Sequence, residues 1–243
     1  MSFPQLKNKH LEKALFCPKD FIRYRALPKK LPKKWIITYH YNLLSYFKRK
    51  YCPEKIKYSG LINFYTNKNI GFVRLPGIGS PFAVTLLEEL IALGGKEFLN
   101  IGFAGGLQHE GIFLCDRALR DEGTSHHYIP NGKYSYPDFG LTKRFAAALS
   151  EQGLKYETAT TWTIDAPYRE TRTEVERYRK QGIATVEMEA SALFAVAKLR
   201  KVKIASAFVV SDILGEKWEP KFHTFNVKST LNKLIDAGVN CLR

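Results

Sequence analysis

The order of elements in residues 70–107 constrains the fold more than any other feature of this chain. "IGFVRLPGIG" (70–79) has the composition of a strand and runs into a glycine turn. "SPFAVTLLEELIAL" (80–93) then shows helical periodicity. Ser80 is placed to N-cap that helix, Pro81 suits its first position, and Gly94-Gly95 stops it. "EFLNIGFAGGL" (97–107) reads as a second strand entering a glycine-rich turn. Strand, helix and strand of these lengths make a crossover unit, which requires the two strands to be parallel.

The same alternation returns later. Residues 141–152 read as a helix and "YETATTWTI" (156–164) as a strand. "TRTEVERYRKQG" reads as a polar helix ending at Gly182. "IATVEME" is a short strand, "ASALFAVAKLR" a helix, and "KIASAFVVSD" (203–212) an apolar strand ending at Asp212. The last 30 residues read as a terminal helix. The expected architecture is a single α/β domain with a central mixed, twisted sheet flanked by helices, over residues 35–243. Residues 1–34 form a basic, irregular N-terminal segment with one short helix.

Charge is distributed unevenly. Residues 1–57 hold 15 Lys/Arg against 3 Asp/Glu, out of a net charge of +15 for all 243 residues. These cations carry no nucleic-acid-binding motif and no regular aromatic interleaving, so "LPKKLPKKW" (27–35) reads as a solvated connector. Cys17, Cys52, Cys115 and Cys241 are too scattered for a zinc site or a disulfide framework. His126 and His127 are adjacent, and a strand would point them to opposite faces, so no metal site is expected. Neither a secretory h-region nor a membrane-spanning apolar run is present, and the cytoplasm is the expected compartment.

In open α/β sheets ligands sit beyond the carboxyl ends of the strands. The Gly-rich turn after residue 101, "EME" at 187–189 and Ser211-Asp212 all fall there. Two acids flanking a methionine at the mouth of an apolar helix suit a ribose. A carboxylate accepts hydrogen bonds from both the 2′- and 3′-hydroxyls, and a thioether gives one sugar face a soft apolar surface.

"TVEMEASALFAVA", "NIGFAGGLQ", "GIGSPFAVTLLEEL" and "AFVVSD" together resemble the nucleoside phosphorylase superfamily, which includes purine nucleoside and uridine phosphorylases and related nucleosidases. "RDEGTSHHY" (120–128) and "WTIDAPYRET" (162–171) are similar to its uridine-phosphorylase-like branch. The resemblance implies that Met188 and Glu189 hold ribose with Glu187 in support. It implies that Phe103, Ala104 and Gly105 line the base pocket, with Tyr168 and Arg169 over the base. Asp212, beside Ser211, matches the acid that purine-specific members use at N7. Glu189 and Asp212 are thus the expected catalytic residues. The protonated form of Asp212 would be the donor to the departing base.

The family's phosphate site is altered. No Gly-Asp-Pro-x-Arg turn appears in "ITYHYNLL" (37–44), and Asn100 and Phe103 stand where an Arg and a Ser/Thr are usual. Gly79, Ser80, Asn100 and Gly102 are the candidate phosphate ligands, with Arg74 or basic residues of the N-terminal quarter as further candidates; in a hydrolytic reading His40 would be a candidate base. The expected activity is phosphorolysis of a purine nucleoside or uridine to base and ribose 1-phosphate. Phosphate is co-substrate, and no organic cofactor or metal is expected. The alternatives are a hydrolytic nucleosidase and a non-catalytic nucleoside binder. The expected partners are a nucleoside, phosphate and further copies of the chain, from dimer to hexamer, with no membrane or nucleic acid.

Overall fold

A computed structural model describes residues 4–6, 8–25, 31–130 and 132–243. Residues 27–30 of the Lys-rich connector lie outside the described residues. In chain order the elements are α1 (Pro18–Tyr24), β1 (Lys34–Thr38), α2 (Tyr41–Tyr51), β2 (Glu54–Lys57), β3 (Asn63–Asn67) and β4 (Ile70–Arg74). Next come α3 (Ser80–Ala92), β5 (Glu97–Gly106), β6 (Ile112–Asp121), β7 (Tyr134–Ser135), α4 (Phe139–Glu151) and β8 (Glu157–Ile164). The chain continues with α5 (Arg172–Lys180), β9 (Ile183–Glu187), α6 (Ala190–Arg200), β10 (Lys203–Leu214), β11 (Trp218–Pro220) and α7 (Phe225–Leu242).

The expected mixed sheet and its parallel crossover are present. β4 and β5 run parallel, but β1 lies between them and pairs in parallel with both. β5 pairs β1 from Glu97 to Asn100, and beyond that it turns to β9, at Gly105–Val186 and Gly106–Thr185. Its other edge stays on β10 from Glu97 to Gly106. Because β9 pairs β8, β8 pairs β6 and β6 pairs β10, this half of the sheet closes into a ring of strands. Closure hides strand edges that an open sheet would expose.

Helices cover both faces. Leu87, Leu90, Leu193 and Phe194 of α3 and α6 are buried on one side. Phe47, Phe145, Leu234 and Ile235 of α2, α4 and α7 are buried on the other. The N-terminal segment also lies on this core: Arg25 donates to the Tyr58 carbonyl at 2.5 Å. Among the described residues no helix is long and apolar enough to cross a membrane.

The "GFAGG" run is strand, not turn. None of its glycines has a positive φ, so backbone freedom does not explain them. Crowding does. A Cβ on Gly105 would lie 2.9 Å from the Leu214 side chain, and one on Gly106 2.8 Å from that of Ile213. Glycine is needed where β5 is pressed between β9 and β10. Likewise β10 does not stop at Asp212 but runs on to Leu214, because β11 folds back on it, Asp212 facing Pro220 and Leu214 facing Trp218.

Gly71 is the tightest backbone approach outside that ring. A Cβ there would fall 2.4 Å from the ring of Trp35, which is fully buried and has no room to move. Gly71→Ala is therefore expected to destabilise the fold by about 1–3 kcal/mol, read as a lowered urea midpoint with unchanged m-value.

Candidate active site

The two acids of "EME" have different tasks. Glu187 closes β9 with its side chain buried. Its Oε1 accepts from Thr163 Oγ1 at 2.5 Å, and its Oε2 accepts from the backbone N–H groups of Glu189 at 2.8 Å and Ala190 at 2.7 Å. It thus satisfies N–H groups at the start of α6, where the helix dipole also favours a negative charge. Glu189 is the N-cap residue of α6, but its carboxylate turns away and accepts from the Gly79 N–H at 2.6 Å. Ser80 Oγ donates to the Met188 carbonyl at 2.7 Å. Two crosslinks therefore fix the Met188-Glu189 corner to the loop before α3.

A second layer of buried groups supports Glu187. Ser191 N–H donates to Thr163 Oγ1 at 3.0 Å, and Ser191 Oγ donates to Glu122 at 2.8 Å. Glu122 also accepts from Ser125 N–H at 2.9 Å, while Arg120 donates to Ser125 Oγ at 2.8 Å. The "RDEGTSHHY" loop thus reaches the site through Glu122. Its His126 and His127 lie in a 3₁₀ turn, not a strand, and Lys9 Nζ is 3.0 Å from His127 Nδ1. Among the described residues no His/Cys/Asp/Glu group could hold a metal ion.

Burial pushes both Glu187 and Glu189 above the usual glutamate range. Repulsion from Glu187 adds to the effect on Glu189, and Glu122 acts on Glu187, although the donors to Glu187 oppose the shift. The pair carries one negative charge more easily than two.

Asp212 is buried on β10. Its Oδ1 accepts from Ser211 Oγ at 2.8 Å and its Oδ2 from Trp218 Nε1 at 2.8 Å. A Cβ on Gly105 would be 3.6 Å from Asp212 Oδ2, so Asp212 stands beside the expected base-pocket segment Phe103–Gly105. Tyr168 and Arg169 are not brought onto this pocket. Tyr168 is 100% exposed, and both belong to a 3₁₀ turn that faces solvent.

The four expected phosphate ligands are otherwise engaged. Gly79, with φ of 107°, and not Ser80, is the N-cap of α3, and its N–H is taken by Glu189. Ser80 Oγ is taken by Met188. Asn100 is fully buried, donating to Ser206 Oγ at 3.1 Å and accepting from Tyr39 OH at 2.9 Å. Gly102 lies under the Tyr39 ring, which a Cβ would approach to 3.3 Å.

A different group of cations lies at the carboxyl ends of β1 and β4. Thr38 Oγ1, His40 Nδ1 and Arg74 Nε are the buried side-chain nitrogens and oxygens without a hydrogen-bond partner among the described residues. Thr38 faces Arg74 in the β1–β4 register. The His40 ring meets the Phe103 ring edge-on at 4.7 Å between centroids. Burial, then the fields of His223, Lys228 and Arg74, holds His40 below the usual histidine range. His40, Phe103 and Lys228 also line a cavity of about 240 Å³.

Glu187, Glu189 and Asp212 thus lie near the segment where β5 changes partners, at the carboxyl ends of β9 and β10. The chain belongs to the phosphorylase superfamily, whose family model matches residues 46–242. A purine nucleoside phosphorylase of Plasmodium vivax is 29% identical over 176 residues, 69% of this chain and 71% of that protein. An uncharacterised protein of Acanthamoeba polyphaga mimivirus is 28% identical over 149 residues, 58% of this chain; the match spans 57% of that relative's length. Among solved structures, AMP nucleosidase from Bacteroides thetaiotaomicron superposes with a TM-score of 0.76 at 22% identity, covering 93% of this chain and 98% of that one. Uridine phosphorylase from Vibrio fischeri superposes with a TM-score of 0.74 at 24% identity, covering 88% and 90%. These superpositions show a shared fold.

The raised carboxyls have a consequence for stability. The folded pair binds protons more tightly than the unfolded chain, so stability falls as pH rises from the ordinary glutamate range through neutrality. Glu189→Gln is expected to flatten that decline. Melting temperatures of both proteins from about pH 5 to about pH 8 check this; parallel curves would refute it.

Proposed function

We propose that this protein cleaves the N-glycosidic bond of a purine nucleoside by phosphorolysis, giving free base and ribose 1-phosphate. The observation that carries this reading is the cluster of unpartnered buried groups, Thr38 Oγ1, His40 Nδ1 and Arg74 Nε. Buried polar atoms without partners are costly, and a ligand that accepts from them recovers that cost. Arg74 and Lys228 bring positive charge, so the fitting ligand is an anion with several acceptor oxygens. An anion there would also reverse the field that now disfavours a charged His40.

The cluster adjoins the sugar frame. Arg74 lies five residues before Gly79, which holds Glu189, and Tyr39, beside His40, lies within the fields of Glu189 and Glu187. In this reading Glu189 accepts from the ribose hydroxyls with the acceptor capacity that Gly79 leaves, and Met188 packs on the sugar. Glu187 positions both. Bond cleavage builds positive charge on the ribose, which buried Glu189 stabilises, and phosphate adds to C1′ as the base leaves. Asp212 near Gly105 supports a purine, as does the similarity to the Plasmodium vivax protein. The chain acts as a homo-oligomer in the cytoplasm, with no organic cofactor.

The test is chromatographic detection of base and sugar products from purine and pyrimidine nucleosides, with and without phosphate. Ribose 1-phosphate formed only with phosphate is the expected result, whereas free ribose at the same rate in its absence would make the protein a hydrolase. Arg74→Ala is expected to raise the KM for phosphate about 10- to 100-fold, the value of one charged hydrogen-bonding group, while the nucleoside KM changes little. Glu189→Ala is expected to lower kcat/KM by about 100-fold or more through loss of sugar binding in the transition state.

A further inference from the structure

The first turn of α6 is capped from outside the helix. Glu189 is its N-cap residue, and an N-cap side chain ordinarily accepts from the N–H of the second or third helical residue. Glu189 makes no such bond, and its carboxylate accepts from the Gly79 N–H instead. Other residues take up the free N–H groups of that turn. Ala190 N–H donates to Glu187 Oε2 at 2.7 Å. Ser191 N–H, from the second residue of the helix, donates to Thr163 Oγ1 at 3.0 Å.

Thr163 has the chemistry and the placement for this task. It is fully buried on β8 and faces Glu187 in the β8–β9 register. A hydroxyl has one hydrogen to give and two lone pairs to offer. The Thr163 hydrogen goes to Glu187 Oε1 at 2.5 Å, which leaves a lone pair for the Ser191 N–H. Ser191 is held from its other sides as well. Its Oγ donates to Glu122 at 2.8 Å, and its carbonyl accepts from Ser135 Oγ at 2.7 Å. Glu122, Ser135 and Ser191 are all buried, so bulk water does not replace a partner lost here.

We propose that Thr163 is a positioning residue of the sugar site: it caps α6 in place of Glu189 and so keeps the Glu189 carboxylate on Gly79 and free for the ribose hydroxyls. This rests on the proposed nucleoside cleavage. Without the Thr163 hydroxyl, Ser191 N–H is orphaned and Glu187 loses its Oε1 donor. An orphaned buried N–H is costly, so an acceptor that can move is drawn onto it. Glu189, as the N-cap residue, and Glu187, two residues earlier, carry the carboxylates nearest to it along the chain. Either movement turns the Met188-Glu189 corner away from the ribose. Thr163 thus acts on the sugar through Glu189.

The test is a double-mutant cycle on cleavage of a purine nucleoside. Thr163→Val removes the hydroxyl and keeps the shape of the side chain. It is expected to lower kcat/KM for the nucleoside about 10-fold, the value of one hydrogen bond to a charged group, and to leave the KM for phosphate within about twofold of wild type. In a Glu189→Ala background the same substitution is expected to cost less than about twofold, because the group it positions is gone. Thr163→Ser retains the hydroxyl and should stay near wild type. Ser135→Ala removes a buried hydrogen bond from the same Ser191 and spares its N–H. It should lower the melting temperature and leave kcat/KM near wild type. If Thr163→Val does not fold, Thr163→Ala is read through the same cycle. Equal losses in the two backgrounds mark a structural role and overturn the assignment while leaving the cleavage activity standing. So does a Thr163→Val protein of undiminished kcat/KM, or a Thr163→Ser or Ser135→Ala protein as impaired as Thr163→Val. A wild-type protein that cleaves no nucleoside overturns the proposed function, and the assignment with it.

Discussion

The change of partner along β5 is the constraint on which the site depends. Up to Asn100 the strand is held between β1 and β10; by Gly105 it has exchanged β1 for β9. Between those points one edge of β5 is without a β1 or β9 partner. That is the position at which parallel α/β sheets receive ligands. The exchange also brings the carboxyl end of β9, with Glu187, onto the same strand as Asp212 from β10. Glycines at 105 and 106 are what make it possible, since any Cβ would strike Ile213, Leu214 or Val186.

Near the end of β5 the buried carboxylates have different partners. Glu187 is consumed by three donors and fixes the start of α6. Glu189 is held at one oxygen by Gly79. Asp212 is occupied by Ser211 and Trp218. Arg74 of β4, Lys228 of α7 and His223 act on His40. Phe103 stands on the His40 side of β5, and Gly105, two residues on, stands beside Asp212.

Much of this was legible in the sequence, and the parts that were not have physical causes. The crossover unit, the polar helix capped by Thr171 and Glu174, and the late apolar strand follow from local periodicity and punctuation, which act within a few residues. β11 and the extension of β10 to Leu214 escaped, because three residues of "WEP" carry no periodic signal and gain strand form only by pairing with β10. The glycine run was read as a turn since crowding by strands more than 70 residues away leaves the same mark as a need for positive φ. Ser80 looked like a cap, yet its hydroxyl answers to Met188, over 100 residues distant.

By itself the sequence determined the α/β class, the family and the carboxylates of "EME", because these rest on residue types and spacings within short segments. Which carboxylate touches what was decided by tertiary structure. Thr163 and Gly79 lie 24 and 110 residues from the acids they bind, and only the tertiary fold brings them within hydrogen-bonding reach; Trp218 is six residues from Asp212 and reaches it through the return of β11. The cluster around His40 was decided the same way. Thr38, His40, Arg74 and Lys228 form no motif, and they meet because β1 and β4 end side by side near the start of α7. Hydrogen bonds and unscreened charges act over a few ångströms of space, and separation along the chain does not limit them.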